Sequence, residues 1–272
     1  MVTDSAANVP PELASELGIT VVPLHLRFGD DSYRDGIEMD GAEFYARLRR
    51  GDPATTAAPS VGDWLAGFET TGADEVVCVT LASGLSATHH EAQLAAERFP
   101  GRAEVVDSQS ASMGEGFAAV AAARAAREGA SQADAEAAAR EVVSKAVLVG
   151  AIETFEYLRR SGRVGKLQAY AATRLAIRPV FRLIAGEIEP IGRPRTRSRA
   201  VAMVVEKTLK AAGDGRPLHV AAFHADAEDD AVAMIERIRS ETEVAESFVV
   251  ESTPAIGANA GPGLVGLAAY RD

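Results

Sequence analysis

Cysteine occurs once in the 272 residues, at Cys78, so neither a disulfide frame nor a cluster of thiolate metal ligands can be assembled. No apolar run approaches the ~18 residues of a membrane span. The opening Met1-Val2-Thr3-Asp4 has none of the marks of a secretory leader. These absences point to a soluble, cytoplasmic protein. Basic charge is also short: 28 Lys and Arg stand against 39 Asp and Glu, a net charge of −11. Neutralising phosphates needs a basic surface, which argues against nucleic acid as a partner. With only 6% aromatic residues, base stacking is a poor substitute. No internal repeat or low-complexity linker breaks the chain.

What is present is a core-forming composition, 47% hydrophobic and 25% charged, long enough for one large domain or two of ordinary size. Pro10 and Pro11 open a short helix that Gly18 closes. Residues 19–28 read as one strand, Asp40 caps a helix ending at Gly51, and Ser60 with Asp63 has capping-box spacing ahead of Trp64, Leu65 and Phe68. A buried strand over 75–81, a helix over 86–98, a strand over 103–107 and Ala-rich helices over 116–128 and 131–147 follow. Strands alternating with helices imply an α/β fold with a doubly wound, mostly parallel sheet. Later the pattern becomes α+β. It has a short helix over 153–160, a hairpin over 179–193 turning at Ala185-Gly186, helices over 198–212 and 226–241, and strands over 218–224 and 247–251. A Gly-rich segment then leads to a last strand. The change near 147–151 divides the chain into 1–147, Rossmann-like, and 148–272, α+β, with a cleft or tunnel between or inside them as the default ligand site.

Two segments are candidates for anion binding. Thr55, Thr56 and Ser60 lie just before one helix start, and Ser83, Ser86 and Thr88 surround another, with Gly84 allowing the turn. Free N–H groups and the helix dipole favour an anion at such places, although ordinary capping uses the same residues. Placed after neighbouring strands of one sheet, the two starts could converge on one carboxylate or phosphate. Gly84-Leu85-Ser86-Ala87-Thr88 is also one residue from a nucleophile elbow, with His89, His90 and His224 as candidate bases. A serine hydrolase built on Ser86 is therefore the alternative, although Thr88 would crowd the turn.

Other motifs are weaker. In 160–167 a phosphate loop fails, because Arg160 replaces a required glycine and Leu167 the magnesium-binding hydroxyl. His89-His90-Glu91 lacks the i, i+4 spacing of a zinc site, and no metal site is expected. Arg193, Arg195, Arg197 and Arg199 alternate, either as a solvated face or as a docking patch for an acidic partner. Residues 257–263 read as a Gly-rich exposed loop presenting the amide of Asn259.

Taken together the segments resemble the DegV family of bacterial fatty-acid-binding proteins, along essentially the whole chain. The resemblance rests on Val2-Thr3-Asp4-Ser5, Val21-Val22-Pro23-Leu24, Asp35-Gly36 and Phe44-Tyr45. It continues through Thr55-Thr56-Ala57-Ala58-Pro59-Ser60, Ser83-Gly84-Leu85-Ser86-Ala87-Thr88 and Val106-Asp107-Ser108. It ends with Tyr157 to Val164, Pro194-Arg195-Thr196 and Ile256 to Gly263. The resemblance implies a long-chain fatty acid in a buried tunnel, its carboxylate held by Thr56, Ser86, the N–H of Ala87 and Asn259. It further implies a partner fatty acid kinase that phosphorylates the bound carboxylate, with Arg195 and Arg163 on the docking side. The chain itself would then be non-catalytic and cofactor-free, and transient contact with a membrane surface fits such a carrier. There are departures. Asn259 stands where the family usually has histidine, and an amide cannot exchange a proton near pH 7. Ala57 and Ala58 replace a polar pair, and the first strand is short, which points to a truncated start.

Overall fold

The structure, a computed structural model, describes residues 1–163 and 177–272. It opens on a buried strand, β1 (Val2–Asp4), and one 3-10 turn. Pro11 then starts α1 (Pro11–Leu17), and Gly18 at φ 64° ends it, as the sequence predicts. The single strand expected over 19–28 is two. β2 (Thr20–Val22) pairs parallel with β1, whereas β3 (His25–Phe28) belongs to another sheet. Pro23, with no N–H to give a ladder, stands between them. β3 is the middle of a small antiparallel sheet with β4 (Asp31–Arg34) and, beyond α2 (Gly41–Arg49), β5 (Ala54–Ala57). Asp40 caps α2 through Glu43 N, and Ser60 and Asp63 close the expected capping box on α3 (Val61–Thr70).

β6 (Glu75–Thr80), α4 (Thr88–Ala96) and β7 (Arg102–Asp107) complete the first sheet, whose order β2-β1-β6-β7 is parallel throughout. α3 and α4 cover one face through Trp64, Phe68, Ala92 and Ala95. The other face receives α5 (Met113–Arg127) and α6 (Gln132–Lys145), so the sheet is doubly wound. α6 stops at Lys145, and β8 (Val147–Ala151), unexpected from the sequence, follows at once. A short apolar run carries no period that separates helix from strand, which is why this one was hidden.

β8 lies inside a six-stranded mixed sheet of order β10-β9-β8-β13-β11-β12. α7 (Glu156–Arg160) precedes the hairpin β9 (Val180–Ile184) and β10 (Glu187–Gly192), which turns at Ala185-Gly186 as expected. The remaining elements are α8 (Arg197–Ala212), β11 (Leu218–His224), α9 (Glu228–Glu241), β12 (Val244–Glu251), α10 (Pro254–Ala260) and β13 (Val265–Arg271). α8 and α9 bury one face of this sheet through Val204, Val205, Met234 and Ile238. Its other face meets the α5–α6 pair, which is shared with the first sheet. Only the end of the Gly-rich segment is a loop: Pro254 starts α10, the helix runs through Asn259 to Ala260, and Gly261 and Gly263 lie beyond it at positive φ. Gly257 sits against the Phe44 ring and the Tyr45 hydroxyl, where a Cβ would not fit.

Beneath the first sheet two acids are fully buried. Asp4 accepts from Ala6 N at 2.9 Å and Leu81 N at 2.8 Å, fastening the end of β1 to the end of β6. Glu115 accepts from Thr3 Oγ1 at 3.2 Å. Burial pushes Asp4 up to about 6 and holds Glu115 well above its ordinary range, with the neighbouring Asp4 charge adding to the rise. The folded state therefore holds protons that the unfolded chain releases near pH 4, and the stability they contribute is lost as pH rises through 6. Glu115→Gln keeps a donor but does not titrate. The fall in urea midpoint from pH 5 to pH 7 is expected to be smaller in that variant than in wild type, and equal falls would remove the acid pair as its source.

Candidate functional site

The carboxyl ends of β1 and β6 face a cavity of about 890 Å³, its open mouth included. That is the location expected of a ligand site in an open α/β sheet. Its walls are mostly apolar. Leu81 and Leu85 come from the β6–α4 connection, Ala255 and Ile256 from α10, and Phe181 and Leu183 from β9. Two glycines make room for the aromatic wall. A Cβ on Gly150 would lie 2.6 Å from the Phe181 ring, and one on Gly266 would meet the Phe223 ring.

Polar groups gather at one place on the wall. Asn259 Nδ2 donates to Thr56 Oγ1 at 3.2 Å and to Ala255 O at 2.8 Å. Its Oδ1 accepts from Arg163 Nη1 at 3.0 Å. Arg163 also donates from Nε to Leu85 O and from Nη1 to Ser161 O, both at 3.0 Å. Ser86 Oγ lies 2.8 Å from Thr88 Oγ1 and accepts weakly from Thr88 N at 3.3 Å. Thr56, Ser86, Arg163 and Asn259 are all partly exposed, whereas Leu148, Phe181, Leu183 and Phe223 are buried. The polar end is therefore the open end. Half-burial depresses the pKa of Arg163, and among the described residues it makes no ion pair. A guanidinium without its own carboxylate, beside two hydroxyls and an amide, suits an anionic oxygen pair.

A family model described as "Uncharacterised protein, DegV family" matches residues 1–272. The chain belongs to the DegV family. It is 35% identical to a DegV domain-containing protein of Streptomyces coelicolor over 98% of this chain and 96% of that one. Its structure superposes with a TM-score of 0.93 on a DegV family protein from Thermus thermophilus described for its fatty acid binding, at 32% identity, covering 100% of this chain and 98% of that one. With DegV of Bacillus subtilis, described as a fatty acid binding protein, the TM-score is 0.90 at 28% identity, again covering 100% and 98%.

In this DegV chain, three of the four headgroup residues expected from the sequence, Thr56, Ser86 and Asn259, line the same cavity. Ala87 is exposed, directly precedes α4 and does not line it. The two Ser/Thr-rich segments converge, but not as two helix starts on one sheet. Thr56 is delivered by β5, opposite Leu26 in the antiparallel sheet, and only Ser86 comes from a strand-to-helix turn of the parallel one. Arg163, expected on a docking side, lines the cavity. Arg195 is exposed ahead of α8, its carbonyl accepting from Arg178 Nη1 at 3.1 Å. The arginine quartet does not form one face, because Arg197 turns inward to Glu153 at 3.0 Å and Asp230 at 2.8 Å. Gly165-Lys166-Leu167 of the failed phosphate loop lies outside the described residues.

Sequence reading missed the hairpin wall, Phe181, Leu183 and Ile188, although the alternating burial of β9 is a period-2 signal. It also missed Ser112. Among the described residues no histidine is hydrogen-bonded to Ser86 Oγ. Its hydroxyl is engaged with Thr88, His89 Nδ1 is 3.0 Å from Thr80 Oγ1, and His224 Nδ1 accepts from Ala227 N. A general base must reach the proton that it takes. Incubation with a fluorophosphonate is expected to leave the intact mass unchanged, and a stoichiometric adduct on Ser86 would refute this.

Proposed function

We propose that this protein binds a long-chain fatty acid with its chain along the apolar cavity and its carboxylate at the Thr56–Ser86–Asn259–Arg163 end, and presents that carboxylate to a partner fatty acid kinase. The observation that carries the reading is the division of one cavity into a buried apolar wall and a part-exposed cluster of donors. Fatty acid binding by the related proteins from Thermus thermophilus and Bacillus subtilis supports it.

Burying an acyl chain contributes roughly 0.8 kcal/mol per methylene, so a long chain binds tightly through its tail alone. The carboxylate cannot follow the tail unpaired, because an ion without partners is costly to desolvate. Hydroxyls from Thr56 and Ser86 and the Arg163 charge meet that need at a position from which the group is still reached from outside, while Asn259, its N–H groups committed to Thr56 and Ala255, holds Thr56 and Arg163 in place. Asn259 has no proton to lose near neutral pH, so acid–base work in phosphoryl transfer falls to the kinase. Arg195, exposed on an otherwise acidic chain, is the docking contact in this reading, and Arg163 meets both the ligand and the kinase at the mouth.

Native mass spectrometry of the purified protein is expected to find one fatty acid per chain. A protein that is empty and takes up no added fatty acid would overturn the reading. Thr56→Ala and Ser86→Ala should each weaken fatty acid binding by roughly three- to tenfold, the loss of one hydrogen bond, with the fold intact. Unchanged affinity in both would move the headgroup elsewhere. Arg195→Ala should leave fatty acid affinity unchanged and slow acyl phosphate formation by the kinase at subsaturating carrier. An unaltered rate would remove Arg195 from docking.

A further inference from the structure

Ser112 stands directly before α5 with φ 48° and ψ −148°, a combination that L residues avoid and glycine adopts freely. It is 2% exposed and lines the cavity. Serine at such a position ordinarily caps its helix, yet this side chain makes no bond to the first turn. The backbone has already satisfied that turn, with Glu115 N and Gly116 N donating to Ser112 O at 2.9 and 3.0 Å. Among the described residues the Ser112 hydroxyl has no hydrogen-bond partner. Glycine here would remove the strain and the unpaired hydroxyl together. The strain belongs to the Cβ, which any L residue would carry, and the unpaired hydroxyl is the serine's own cost; a buried orphan in a ligand cavity calls for a ligand atom.

We propose that Ser112 Oγ, at the N-terminal end of the 15-residue α5, is a second polar binding point in the cavity for a neutral oxygen carried along the acyl chain, as in a hydroxy or oxo fatty acid. This rests on the carrier reading above. The oxygen belongs to the chain and not to the headgroup for two reasons. Ser112 is buried while Thr56, Ser86, Arg163 and Asn259 are part-exposed, and it bonds to none of those four. Its chain neighbour Ala111 and Leu148, whose side chain approaches Gly114 of the same turn, are apolar cavity residues, and a carboxylate beside them would lack further donors. A neutral hydroxyl or ketone avoids that penalty, and a serine can donate to either.

The test is competition binding of stearic acid against its hydroxy positional isomers, on the full chain as wild type, Ser112→Ala and Ser112→Gly. The glycine variant fits the backbone and should unfold at a higher temperature than wild type, so at least one variant is folded. At least one isomer is expected to bind wild type roughly three- to tenfold more tightly than stearic acid, a preference absent from both variants. Stearic acid itself should bind the variants at least as well as wild type. No preference in wild type, or a preference that survives both substitutions, would overturn the inference and leave the carrier reading standing. A loss of stearic acid affinity matching that of Ser86→Ala would place Ser112 at the carboxylate and also overturn it. Wild type that takes up none of these acids would overturn the carrier reading, and this inference with it.

Discussion

Arg163 brings a full charge into a half-buried position, and its N–H groups must be satisfied there. They reach Leu85 O, Ser161 O and Asn259 Oδ1, so one guanidinium ties the β6–α4 connection to the end of α7 and to α10. Two buried carboxylates hold the same pieces from the other side. Asp4 grips Leu81 N at the end of β6, and Asp35 accepts from Ser5 Oγ at 2.7 Å and from Ala255 N at 2.8 Å in the first turn of α10. Thr253, the residue before α10, provides no side-chain cap, so the α10 N–H that Asp35 takes is satisfied from a distant segment. Donors fixed by contacts that need no ligand are preorganised, which lowers the ordering cost when an anion arrives.

The cavity between these anchors depends on small residues. Ala118, Ala119 and Ala122 let α5 lie between two sheets at close packing, where larger side chains would force the layers apart. On the second sheet Gly150 and Gly266 let the Phe181 and Phe223 rings come close to the strands, and both rings line the cavity.

Local signals were read well where the physics is local. The Asp40 cap, the Ser60–Asp63 capping box, the Gly18 stop and the Ala185-Gly186 turn are each decided within four residues. They stand in the structure as the sequence predicts. Readings that required knowing what lies across the chain were less secure. Residues 19–28 have the composition of one strand, yet Pro23 sends the two halves to different sheets. Asn259 was expected on a loop because glycine dominates its segment, but contacts with Phe44 and Tyr45 bury Gly257 and make a helix of it.

The sequence by itself determined the α/β class, the family, and the residue types of the polar end: Thr56, Ser86 and Asn259 were all legible, because hydroxyls beside turns and an amide among glycines stand out from their neighbours. It could not place them relative to one another. β5 and not a helix start carries Thr56, Arg163 faces the cavity, and Arg197 turns inward from its quartet. The strained Ser112, unpaired among the described residues, has no sequence mark at all. Each of these depends on contacts between residues far apart in the chain, such as Asn259 with Thr56 or Arg163 with Leu85, and periodicity and capping rules carry no information about such pairs. Tertiary packing therefore decided which of the eligible polar groups share one cavity and which are spent on holding the fold.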